Sequence, residues 1–236
     1  VGKCEADPEA CFSINTNGTT AVLAAMAKAA VAHIIYASTY AVYDWSGEQL
    51  ELNETSPTNP STVYGRSKLQ SELEIIAAAA TGDITQYHIL RYANIVGAIP
   101  KLLTHTPQSF LDKIVRAATT GDTIQLAGDD YKTADGSVAR DFVDVRDVAT
   151  VHELLLHTDD SAVYTISSGR ATTLKSLIAL AEAAAGKKIS VQINPRNANE
   201  PASIMMSHGA VTAKLGWQPQ YELMQTVALL HKKLLT

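Results

Sequence analysis

Tyr64 and Lys68 stand four residues apart in Ser61-Thr-Val-Tyr-Gly-Arg-Ser-Lys-Leu-Gln-Ser-Glu-Leu73. That spacing puts a phenol and an ammonium on one face of a helix. A lysine held near a phenol stabilises the phenolate and lowers its pKa toward working pH, which a general acid/base tyrosine needs. Taken alone, Tyr-x-x-x-Lys is short enough to recur by chance as a solvated helix face. Its weight depends on the elements around it.

Those elements read as an α/β chain. The Ala-rich segment from Asn15 to Ala32, with Val22, Leu23, Met26, Ala29 and Ala30 as its apolar positions, predicts a buried helix. His33 to Ser38 is a short apolar run expected to form a buried parallel strand. Pro60 can open a second helix at its first position; this helix carries Tyr64 and Lys68 and stops at Gly82. Gln86 to Tyr92 reads as the next strand. Further on, helices are expected at 109–119, 148–157, 174–185 and 221–235, and strands at 124–126, 140–145, 163–166 and 189–193. Strand, helix, strand with buried strands argues for a parallel sheet.

Composition narrows the function classes. The chain has 236 residues, 46% hydrophobic and 18% charged, enough for one large domain or slightly more. Its apolar runs are too short to span a bilayer, and the first residues lack the pattern of a secretory leader. Neither a membrane nor a nucleic-acid partner is expected, since the net charge is −5 with no basic block. Cys4 and Cys11 are too few for a disulfide framework or a zinc site, and both thiols are expected to be inert in a reducing cytoplasm. The seven histidines show no ligand spacing, so no metal is expected. The 13 glycines never approach closer than seven residues, which excludes both G-x-G-x-x-G and a Walker loop within these residues. A chain with only the later half of a doubly wound sheet would expose the edge and faces that earlier strands should cover, so an N-terminal portion is expected to be missing.

Five stretches together carry a family resemblance: Asn15-Thr-Asn-Gly-Thr19, Ala37-Ser-Thr-Tyr-Ala-Val-Tyr43, Tyr64-Gly-Arg-Ser-Lys68, Leu90-Arg-Tyr-Ala-Asn-Ile-Val-Gly97, and Gly128 to Gly136 followed by Val138-Ala-Arg-Asp-Phe-Val143. The chain resembles the extended short-chain dehydrogenase/reductases, most closely the UDP-glucose 4-epimerases and related nucleotide-sugar epimerases. The likeness covers essentially the whole chain and implies a fold: the C-terminal portion of a doubly wound Rossmann-type parallel sheet plus a smaller α/β substrate-binding domain. Residues 1–97 would be the partial NAD-binding unit and 98–236 mainly the nucleotide-sugar unit, with about 141–166 returning to the first.

The resemblance also implies roles. Tyr64 would take the proton from the sugar 4-hydroxyl while the C4 hydride moves to NAD, and Lys68 would bind the nicotinamide ribose. Thr39 would hydrogen-bond the reacting oxygen. Asn15, Ser38 and the backbone of Ala93 would contact the cofactor, with simple helix capping the other reading for Asn15. Asn94 and Arg140 would contact the UDP diphosphate, whose geometry suits a guanidinium fork; the alternative for Arg140 is an ion pair with Asp141 or Asp144. The family's 4,6-dehydratases carry Asp-Glu after the hydroxyl residue, whereas this chain has Tyr40-Ala41, so epimerisation is favoured over dehydration. Asn197 stands where a second diphosphate-binding arginine is expected; Arg196 is adjacent, and the loop 99–108 is short. A UDP-hexose substrate and a homodimer through the Ala-rich helices 19–32 and 69–80 follow by likeness. A nucleotide-sugar reductase or an inactive binding subunit are the alternatives, and weak or no activity is expected of these residues alone.

Overall fold

The computed structural model describes residues 2–97, 109–198 and 200–234, so the loop 99–108 lies outside the described residues. Two short helices, α1 (Gly2–Ala6) and α2 (Pro8–Phe12), lead through a π-helical stretch, Ser13–Asn17, into α3 (Gly18–Ala29). Strand β1 (His33–Thr39) then pairs in parallel with β3 (Gln86–Tyr92), and β3 with β7 (Ala162–Ile166). This three-stranded sheet has the order β1-β3-β7, so β1 is its edge among the described residues. Helix α4 (Val63–Thr81) crosses from β1 to β3, and α6 (Val145–Leu155) precedes β7. Leu23 and Met26 of α3 and Ile75 and Ala78 of α4 pack with Ile84 and Ile89 against this sheet. The Ala-rich helices thus use one face on the sheet, while Val22, Leu73 and Ile76 stay exposed on others.

A second sheet runs β2 (Gln49–Leu52), β10 (Ser203–Met206), β6 (Ala139–Asp144), β4 (Asn94–Val96), with β8 (Ala171–Thr173) antiparallel to β6. Strands β2 and β4, from within 1–97, pair here and not in the first sheet. A two-stranded pair, β5 (Ile124–Ala127) with β9 (Val191–Asn194), lies beside α5 (Phe110–Thr120), α7 (Leu174–Ala185) and α9 (Leu223–Leu234), which share a core around Leu111, Ile114, Leu126, Leu177 and Val227. Helix α8 (Gly209–Leu215) completes the set.

Three expectations change. Helix α4 opens at Val63 rather than at Pro60, because Thr62 accepts the Gly65 N–H (2.9 Å) and so takes the capping position. Asn15 is no helix cap, since it lies inside the π-helical stretch. The cysteines are not free thiols: a backbone break at Asp7 brings the Cys4 and Cys11 Cα atoms to 5.0 Å, and a disulfide joins them. No helix among the described residues is long and apolar enough to cross a membrane.

Candidate active site

The first part of the site forms where the C-terminal end of β1 meets the start of α4. Gly65 makes that approach close, because a Cβ on it would stand 2.2 Å from the Ala41 carbonyl oxygen. Tyr64, its neighbour, is thereby brought to Thr39, which is buried and whose hydroxyl also accepts the Ala41 N–H (3.2 Å). Burial raises the Tyr64 phenol above its usual value, while a hydrogen bond with the Thr39 hydroxyl works against that rise, and Tyr36 and Tyr40 add to it. Lys68 was expected to lower the phenol. Its ammonium instead lies over the Tyr36 ring, 4.0 Å from the centroid. Burial pushes the Lys68 amine down to about 8, with the Glu72 charge opposing. Lysine and tyrosine share a helical face, as their spacing predicted, yet an aromatic ring takes up the cation.

Behind this pair runs a buried polar lattice. Asn15 donates to Ser67 Oγ (2.9 Å), Thr16 Oγ1 to the Ser67 carbonyl (3.1 Å), and Ser71 Oγ to the Asn15 carbonyl (3.0 Å). The π-helical turn, a form frequent at functional sites, is therefore stitched to the helix that carries Tyr64 and Lys68. Ser38 donates its hydroxyl to Glu72. Arg91 binds the same carboxylate through Nε (3.1 Å) and Nη2 (2.6 Å). Sequence reasoning missed this Glu72–Arg91 pair. The signal was available, since Glu72 sits one turn beyond Lys68 on the same helix face. Asn15, Ser38 and Ala93 are thus all structurally engaged; the Ala93 N–H donates to the Ile166 carbonyl (2.9 Å).

The second part gathers around Arg140 on β6. Its guanidinium donates to the Ala139 and Pro201 carbonyls (2.7 and 3.0 Å) and to Glu200 (2.7 Å). The expected alternative partners are occupied elsewhere. Asp141 accepts from Ser168, Gly169 and Met206, and Asp144 binds Arg146 and Thr226. Asn197 also donates to Glu200 (2.6 Å), and the Arg196 guanidinium stacks on the Tyr131 ring at 4.3 Å. Gly128 permits that stack, because a Cβ there would meet both Tyr131 and Arg196. Asn94 donates to the Asp141 carbonyl (3.0 Å). Tyr40 links the two parts: its hydroxyl lies 3.5 Å from the Asn94 side-chain oxygen, Arg140 acts on its charge, and its ring stacks on Trp45. In the sequence Tyr40 counted only as the absence of a carboxylate.

The donors around Lys68 suit a hydroxyl-rich, partly apolar ligand. Lys68, Tyr36, Asn15, Thr19, Val22 and Ile34 share a cavity of about 350 Å³ at the free edge of β1. That lining fits a nicotinamide nucleotide, with an ammonium for ribose hydroxyls and aliphatic walls for a ring. Among the described residues no group of three or more His, Cys, Asp or Glu could hold a metal ion.

A parallel α/β fold that brings a helix-borne Tyr–Lys pair to the end of β1 is the arrangement expected of a nucleotide-dependent enzyme of the dehydrogenase and epimerase type. Residues 1–167 match the NAD dependent epimerase/dehydratase family, and the chain belongs to it. It is 32% identical to the UDP-glucose 4-epimerase of Halalkalibacterium halodurans, over 96% of this chain and 70% of that protein. It is 33% identical to the enzyme of that name from Lacticaseibacillus casei, over 92% and 67%. Among solved structures, UDP-glucose 4-epimerase from Bifidobacterium longum in complex with NAD+ and UDP superposes with a TM-score of 0.89 at 28% identity, covering 99% of this chain and 73% of that one. UDP-glucose 4-epimerase from Stenotrophomonas maltophila, with bound NAD and formylated UDP-arabinopyranose, gives 0.87 at 30% identity, covering 100% and 73%.

Proposed function

We propose that this chain is the catalytic and substrate-binding part of a nucleotide-sugar 4-epimerase of the UDP-glucose/UDP-galactose type, working with NAD. The observation that carries the reading is the meeting of Thr39 and Tyr64 beside Lys68, with Tyr40 leading from them to Asn94 and Arg140. Bound NAD would supply a hydride acceptor for the sugar C4 and return the hydride to either face. Tyr64 takes the proton from the 4-hydroxyl and gives it back, and Thr39 holds the same oxygen as it becomes a ketone. Lys68 binds the nicotinamide ribose. Asn15, Ser38 and Ala93 shape the cofactor side from behind. Arg140, Asn94 and Arg196 hold the diphosphate, with Glu200 fixing the Arg140 fork. Residues 1–97 and α6–β7 form the cofactor unit, apart from β2 and β4, which belong to the sheet of the sugar-nucleotide unit. The exposed Leu73 and Ile76, one turn apart on α4, supply apolar surface for a homodimer through the Ala-rich helices.

The test is to supply UDP-galactose and NAD to the chain alone and to a version joined to the N-terminal strands of a family relative, where the activity is expected, and to follow both UDP-glucose and NADH. Interconversion without net NADH supports epimerisation. Stoichiometric NADH with an oxidised sugar would place the chain among the dehydrogenases.

A further inference from the structure

Residues 2–12 fold as a hairpin of two short helices against the start of α4. Asp7 breaks the hairpin and caps α2 by accepting the Ala10 N–H (3.0 Å). Cys4 on the first helix and Cys11 on the second are disulfide-bonded across the break. Two contacts run from the hairpin to the first turn of α4. Glu5 accepts the Val63 N–H (2.7 Å), one of the donors that a helix start leaves without an internal partner. Cys11 Sγ lies 3.3 Å from Ser67 Oγ, which in turn donates to the Tyr64 carbonyl (2.9 Å). Helix α1 has five residues and none of them is buried, so packing does little to hold it. So short a helix is marginal by itself in water.

We propose that Cys4–Cys11 is a reversible thiol–disulfide site whose oxidised form holds Glu5 on the first turn of α4, the turn that carries Tyr64. Cys4 is the more exposed of the two residues, and the thiolate of a dithiol reductant attacks its sulfur. The Cys4–Cys11 bond breaks, Cys11 leaves as thiolate and takes a proton, and a mixed disulfide forms on Cys4. The second thiol of the reductant displaces Cys4, so two electrons pass to the chain and the reductant ends as a disulfide. Glutathione disulfide reverses the exchange. In the reduced chain α1 separates from α2, Glu5 leaves Val63, and the first turn of α4 loses a cap.

The experiment equilibrates the 236-residue protein in glutathione buffers of graded ratio, counts free thiols by alkylation, and measures amide hydrogen exchange. Reduction should release two thiols and speed exchange at Val63 about fivefold, the factor that losing one helix cap implies. Amides of α7 should not change. Cys4→Ser in oxidising buffer should exchange like the reduced protein. Glu5→Ala, which keeps the disulfide but removes the acceptor for the Val63 N–H, should do the same. Two free thiols at every ratio, or one Val63 exchange rate in both states, would overturn the proposal. Since no activity is read, either outcome is independent of the epimerase reading.

Discussion

Lys68 lies over an aromatic ring and Tyr64 beside a hydroxyl, so burial decides how readily each holds or gives up a proton. Arg140, at the other end of the site, is bonded to a carboxylate and two carbonyls before any ligand arrives. The contrast follows from what the proposed function would ask of each end. A firm ion partner would pin a proton-exchanging group in one state, and Tyr64 lies beside a neutral hydroxyl instead, although burial holds its phenol above the ordinary value. A group that binds diphosphate has to keep its charge and its geometry, and a preset partner fixes both while lowering the cost of ordering it. Tyr40, touching Asn94 and influenced by Arg140, is where the two designs meet.

The sharpest way to break this comparison is Tyr64→Phe. It removes the proton carrier and keeps the ring, so kcat for UDP-galactose conversion should fall roughly 10²–10⁴-fold. Binding of UDP, followed by calorimetry, should stay within about twofold, because a lost phenol hydroxyl leaves the Arg140 end intact. Activity within a few-fold of the parent would remove Tyr64 from the chemistry.

Glu72→Gln tests whether the first region hides a fixed charge of its own. Glu72 and Arg91 have side chains only 1% and 9% exposed, and the substitution leaves the guanidinium buried without its counter-charge. Breaking such a pair costs about 3–5 kcal/mol, to be read from urea unfolding. A loss under about 1 kcal/mol would mean that water reaches Arg91.

The pH dependence separates the ends next. Raising pH through about 8 strips the proton from Lys68, so kcat/KM should bend downward there and then fall about tenfold per unit. UDP affinity should stay flat through pH 8, since the diphosphate end holds its ligand without the Lys68 amine. Stability moves the other way. The folded lysine lies below its ordinary 10.5, so between about 8 and 10.5 the unfolded chain binds more protons, and unfolding free energy rises with pH. A flat kcat/KM profile to pH 9.5 would show that the charge on Lys68 is not needed.

How much of this was legible depends on the range of the forces involved. Strand β3 at Gln86–Tyr92 and helix α7 at Leu174–Ala185 fell where the hydrophobic pattern put them, because local periodicity and a closing glycine suffice. Strands β2, β4, β8 and β10 were missed. Each has three or four residues and exists only by pairing with distant chain, as Ser203–Met206 does with Gln49–Leu52. The meeting of Thr39 with Tyr64 was anticipated by resemblance, whereas the lysine's partner was not. No local rule says that the Tyr36 ring, three residues before Thr39 on β1, will face Lys68. The disulfide was hidden for a related reason: Cys4 and Cys11 are seven residues apart, and only the break at Asp7 brings them together.

Asn197→Arg should have the smallest effect, and it probes the Arg140 end alone. Asn197 is exposed and donates to the far oxygen of Glu200 (2.6 Å), while Arg140 takes the near one (2.7 Å). A guanidinium at 197 would share that carboxylate and still have donors left for a phosphate. A charge-assisted hydrogen bond is worth about 1.5–3 kcal/mol, and ordering a long exposed side chain takes back about 1–2 kcal/mol. The Kd for UDP should therefore tighten about threefold, with uridine binding unchanged. An equal gain for uridine would mean that the new side chain reads the base and not the diphosphate. A loss for UDP would mean that it pulls Glu200 away from Arg140, and the preset geometry of that end would then be its main contribution to binding.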